Sequence, residues 1–143
     1  MSLRGAAAYK TVGNQSGAEF ASPHRLIQML LDGALEKMMI AKNAMERNDI
    51  QGKAENISWA IRIIGGLQAS LDPDKGGEVA ETLGTLYNFV VGHLTQANLT
   101  NDPAIIDESI NIIKNIKEGW DGISDEAEKI NQEQTSQSKS ESE

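Results

Sequence analysis

Residues 22–45 read SPHRLIQMLLDGALEKMMIAKNAM, and the spacing of their apolar side chains decides the fold. Ile27, Leu31, Ala34, Met38, Ala41 and Met45 recur every three or four residues, so a helix gathers them on one face. Leu26, Leu30, Leu35 and Met39 widen that face. Ser22 suits the N-cap, where its hydroxyl accepts an orphan amide bond. Pro23, at the first helical position, gives up no donor that the helix needs. Asn48-Asp49 marks the expected end of this helix and a cap for the next.

Three further stripes follow the same rule. Ala54, Ile57, Ile61, Ile64, Leu67 and Leu71 form the second, which stops at the dense turn signal Asp72-Pro73-Asp74-Lys75-Gly76-Gly77. The third runs through Val79/Ala80, Leu83, Leu86/Tyr87, Val90 and Leu94 and closes near Asn98. Asn101-Asp102-Pro103 then supplies another cap and initial proline. Ile106, Ile110, Ile113 and Trp120 make the fourth stripe, with Ile105, Ile112, Ile116 and Ile123 on a second line beside it. Isoleucine favours strands, but no period of two accompanies it, and over so long a segment period outweighs propensity. Four helices of roughly 18–25 residues joined by short turns predict an all-α fold, an antiparallel up-and-down four-helix bundle.

The two ends differ from this middle. Residues 1–21 are small and polar, with isolated apolar anchors at Leu3, Tyr9 and Val12, and they read as a mobile N-terminal strap with a short helical turn. Residues 22–123 form the bundle domain. Residues 124–143, ending SQSKSESE, carry six acidic and two basic side chains. They hold too few apolar groups to offset the entropy of ordering, so a disordered acidic tail is expected.

Composition narrows the chemistry. Cysteine is absent, which removes disulfides, thiol nucleophiles and thiolate metal sites. His24 and His93 are the two histidines, and neither has a ligand spacing. The Glu-x-x-His motifs of a di-metal bundle do not occur. Asp32 with Glu36, and Asp107-Glu108, are the carboxylate pairs worth weighing for catalysis, but no base or second partner accompanies them. Gly76-Gly77 lacks the surroundings of a phosphate loop. A net charge of −8 without a Lys/Arg cluster argues against nucleic-acid binding. No apolar run approaches the ~20 residues of a membrane span, and no signal peptide is evident, so a cytoplasmic protein without stable membrane insertion is expected. Enzyme, cofactor and metal readings therefore rank last.

The apolar faces are wider than one core needs. Trp59 and Ile63 lie off the main line of the second helix, Phe89 lies off that of the third, and the isoleucine lines of the fourth cover a broad arc. Burial of all of them is one reading. The other is a partner-binding groove of helices two, three and four, lined by Trp59, Ile63, Phe89, Ile105 and Ile112, which takes an amphipathic helix or extended segment. The strap would cover that groove reversibly through Leu3, Tyr9 and Val12. Glycines at 65, 66, 84, 92 and 119 interrupt the helices and signal either close packing, a bend, or room for a guest backbone.

The ordered set of local patterns adds a resemblance. Ala21-Ser22-Pro23-His24-Arg25-Leu26-Ile27, then Met29-Leu30-Leu31-Asp32-Gly33-Ala34-Leu35, resembles the opening of the flagellar secretion chaperone family FliS, the flagellin chaperones. The likeness continues at Ser70-Leu71-Asp72, Gly76-Gly77-Glu78-Val79-Ala80, Leu83-x-x-Leu86-Tyr87, Leu94-Thr95-Gln96-Ala97-Asn98, Asn101-Asp102 and Glu118-Gly119-Trp120. Leu31 departs from the tyrosine common before Asp-Gly-Ala-Leu, and the spacer between Tyr9 and Ser22 is long. The resemblance implies a non-enzymatic, cytoplasmic helix-bundle chaperone without cofactors. Its implied guest is the C-terminal region of flagellin, kept from premature polymerisation and delivered to the flagellar type III export apparatus. The competing reading is a helical adaptor or regulatory protein that dimerises through the same apolar surface.

Overall fold

The computed structural model describes residues 21–122; the strap with Leu3, Tyr9 and Val12, and the tail from residue 124, lie outside them. Among the described residues the regular elements are four α-helices: α1 (Pro23–Glu46), α2 (Ile50–Ala69), α3 (Pro73–Thr100) and α4 (Pro103–Gly122). Each packs on its neighbours in chain order and α4 returns to α1, which closes an antiparallel up-and-down ring. Leu31, Met38, Ile57, Ile64, Leu67, Val90, Leu94, Ile106 and Ile113 fill its axis and are fully buried. The turns of residues 47–49 and 101–102 share one end. The turn of residues 70–72, the start of α1 and the end of α4 share the other.

The turns show why the helices stop where they do. Ser22 Oγ accepts from the Arg25 amide at 3.1 Å, as its place before Pro23 predicts. At the other end of α1, Asn48 takes a left-handed backbone with φ 59°, which asparagine tolerates better than most residues. The Asp49 amide then reaches the Ala44 carbonyl at 2.8 Å and the Asn48 amide reaches Met45, a Schellman termination. Asp49 immediately caps α2 by accepting from the Gly52 amide. A Cβ at Gly52 would press on that carboxylate, so a larger residue there would make the Asp49 side chain shift.

One boundary differs from expectation. The punctuation at residues 72–77 is not a plain loop before a helix at Val79. Asp72 accepts from the Asp74 and Lys75 amides, and with Pro73 at the first position it nucleates a helical turn of its own. Gly77 then breaks the path with φ 52° and ψ −126°, a backbone that side chains rarely permit, before α3 proper begins. At its far end α3 runs to Thr100 and closes on a left-handed Asn101. Lys53, buried at the start of α2, donates to Asn98 O at 3.1 Å and to Asn101 Oδ1 at 3.2 Å. A cation thus satisfies the negative end of α3 and ties two turns together.

Candidate functional site

The bundle presents two outer seams on which the widened apolar faces emerge. On the α1–α2 seam, Ile63 packs against the core, and its Cδ1 lies 3.5 Å from where a Cβ on Gly33 would stand. Trp59, one turn earlier on α2, is half-buried. Arg62 Cζ lies 4.7 Å from the Trp59 ring centroid, and Lys37 Nζ of α1 lies 5.6 Å from it. Both distances suit cation–π attraction.

On the α3–α4 seam, Phe89 is 50% exposed and packs its ring on His93 with centroids 4.1 Å apart. His93 Nε2 meets Glu108 Oε2 of α4 at 2.8 Å. Ile105, Glu108 and Ile112 follow at spacings of three and four, one stripe of α4. Ile105 and Ile112 are partly buried against the core on either side of that hydrogen bond. The structure therefore brings Phe89, Ile105 and Ile112 together on one seam. Trp59 and Ile63 belong to another, shared with α1 rather than with α3 and α4.

Three of the carboxylates considered for catalysis, Asp32, Asp107 and Glu108, have structural partners. Asp32 pairs with Lys117 across α1–α4 at 3.3 Å, and Asp107 pairs with Lys42 at 2.9 Å. Hydrogen bonding to Asp107 holds the Lys42 ammonium above its usual range, and bonds to Asp121 and then Asp32 do the same for Lys117. Asp121 is held below the usual carboxylate range by Lys117 and then by Gln28. Among the described residues no group of three or more His, Asp or Glu side chains is placed to hold a metal ion. Nor is any described helix long and apolar enough to cross a membrane.

His24, without a ligand spacing in the sequence, has a structural part instead. It is only 5% exposed. Its ring stacks on Trp120 of α4, with centroids 4.7 Å apart and planes 7° from parallel. His24 Nε2 bonds the Trp120 carbonyl at 2.9 Å, and Trp120 Nε1 donates back to the His24 carbonyl at 3.0 Å. This reciprocal clasp fixes the first turn of α1 to the last turn of α4. The sequence separation of 96 hides it from any local pattern. Also unforeseen are Leu99 and Ile50, 78% and 73% exposed near the opposite end. Leu99 stands off the Val90–Leu94–Ala97 line, and that offset was the available signal.

Comparison with known proteins gives this surface a context. The family model "Flagellar protein FliS" matches residues 5–127. A flagellar secretion chaperone FliSB of Pseudomonas aeruginosa is 44% identical over 116 residues, covering 81% of this chain and 92% of the relative. A flagellar secretion chaperone FliS of Salmonella typhimurium is 44% identical over 124 residues, covering 86% and 92%. That of Vibrio cholerae is 43% identical over 116 residues, covering 81% and 85%. The matched span contains all four helices and both seams, and on these matches the chain belongs to the FliS family of flagellar proteins.

Proposed function

We propose that this protein is a cytoplasmic secretion chaperone that holds the C-terminal region of flagellin, prevents its premature polymerisation and supports delivery to the flagellar export apparatus. The observation that carries the reading is the exposed half of Phe89, seated on the same seam as Ile105 and Ile112 in a chain of this family. A polymerising subunit must keep apolar side chains available for the filament, so its holder has to offer them a temporary apolar surface. Burial contributes about 25 cal/mol per Å², and ordering the guest segment offsets part of that gain. This balance suits a complex that forms in one compartment and must release at the next. The α1–α2 seam, with Trp59 and Ile63, is a second contact on the path of an extended guest.

Titration with a C-terminal flagellin peptide by calorimetry and size exclusion tests the reading. A 1:1 complex is expected. No heat and no shift at about 10 μM protein, where a binding free energy near −7 kcal/mol would register, would count decisively against it. Phe89→Glu should weaken the complex at least tenfold while circular dichroism stays unchanged, because half the ring already faces solvent. A free protein that elutes as a stable dimer and ignores the peptide would favour the adaptor reading instead.

A further inference from the structure

Trp59 carries two cations in a chain whose net charge is −8. Among the described residues neither Lys37 nor Arg62 has a carboxylate within ion-pair distance, whereas Lys42 and Lys117 are both paired. The arrangement is an aromatic plate flanked by unpaired positive charge, with the apolar edge of Ile63 one turn away. Such a surface suits an acidic segment that also brings an occasional apolar side chain.

We propose that the occupant is the chain's own C-terminal segment, residues 123–143, which docks on the Trp59–Lys37–Arg62 face and competes with any other ligand there. Charge complementarity supports it: the segment holds six acidic and two basic side chains, with Asp125, Glu126 and Glu128 close to its start and Ile130 just beyond. So does placement. α4 ends at Gly122, at the end of the bundle where α2 also ends. Trp59 lies ten residues before the last residue of α2, about 15 Å along the axis. The route around α1 adds about two helix spacings, ~20 Å. An extended chain advances about 3.3 Å per residue, so roughly half of the segment suffices. Tethering raises its local concentration to the millimolar range, enough for weak individual contacts to give substantial occupancy.

Because the chain has no cysteine, Ile130→Cys accepts a single nitroxide label in the full-length protein. Paramagnetic broadening of the Trp59 indole resonance is then expected at low salt. It should vanish in about 1 M NaCl, where the screening length falls to ~3 Å. Lys37→Glu with Arg62→Glu should abolish it. So should Asp125→Asn with Glu126→Gln and Glu128→Gln, a variant that leaves the bundle untouched. Broadening that survives both sets of substitutions would overturn the proposal, as would none at Trp59. Broadening seen only between labelled and unlabelled copies would mean a second molecule is the occupant, and would overturn it equally.

Discussion

Helix α1 is joined to its two neighbours by opposite means. Toward α2 the contact is dry and made of small residues: Ala34, Ala41 and Ala44 on α1 and Ala60 on α2 are buried, and Gly33 lets Ile63 approach. This is the most closely packed pair of helices in the bundle, and among the described residues no side-chain hydrogen bond or ion pair crosses it. Toward α4 the contact carries several polar links, with the His24–Trp120 clasp, Gln28 Nε2 on Asp121 at 2.7 Å, Lys117 on Asp32, and Lys42 on Asp107. The difference teaches where the chain closes its ring. A hairpin of adjacent helices forms by local contact, whereas α1 and α4 must find each other across the whole chain. Directional partners specify that register better than alanines would.

The largest effect should come from overfilling the dry seam. Ala60→Leu forces extra methylenes into a site with no exposed surface, one turn from the Ile63–Gly33 contact, and should cost about 1–3 kcal/mol. The urea midpoint would fall with an unchanged slope. An unmoved midpoint would mean that α1 and α2 are not in close contact.

Disrupting the polar seam at its clasp should cost less. His24→Ala removes a stacked ring and a bond to the Trp120 carbonyl, together about 1–2 kcal/mol. Trp120→Phe keeps much of the stack and removes one hydrogen bond, so about 1 kcal/mol is expected. Both hydrogen bonds run to backbone carbonyls, so the two substitutions couple through the ring stack, and costs that add in full would mean the stack contributes nothing.

The fold was legible because period and caps agreed. Ser22-Pro23, Asp49 and Asp102-Pro103 each announce a helix start, and the stripes between them have a single period. The seams were less legible. Off-line residues such as Trp59 and Phe89 show that a face is wide, but not which neighbour receives the extra width. That depends on helix rotation, which only packing decides. Lys53 was missed because lysine reads as surface, although here its stem is buried and its ammonium caps α3. The glycines were informative in a negative way. Gly65 and Gly92 have nothing within 4 Å of an added Cβ, so neither close packing nor a bend explains them. Gly65→Ala and Gly92→Ala should each raise stability by about 0.5–1 kcal/mol. If they do, their absence of side chain serves something other than the free fold, and loss of guest affinity in the same variants would say what.

The smallest effect separates the two seams by pH. Asp121 titrates below its ordinary 3.8 because Lys117 and Gln28 hold its charged form. The folded protein therefore binds that proton less readily than the unfolded chain does. Its contribution is present above pH 3.8 and lost as pH falls through the depressed value. Lys42 and Lys117 titrate above 10.5, so their contribution is complete below that pH and lost as pH rises through the raised values. All three groups are partly solvent-exposed, and salt should flatten both slopes. Lys117→Met should remove Asp121's larger support and with it the part of the acid slope in the urea midpoint that Asp121 carries. An identical acid limb in that variant would show that the Lys117–Asp121 contact contributes nothing to stability.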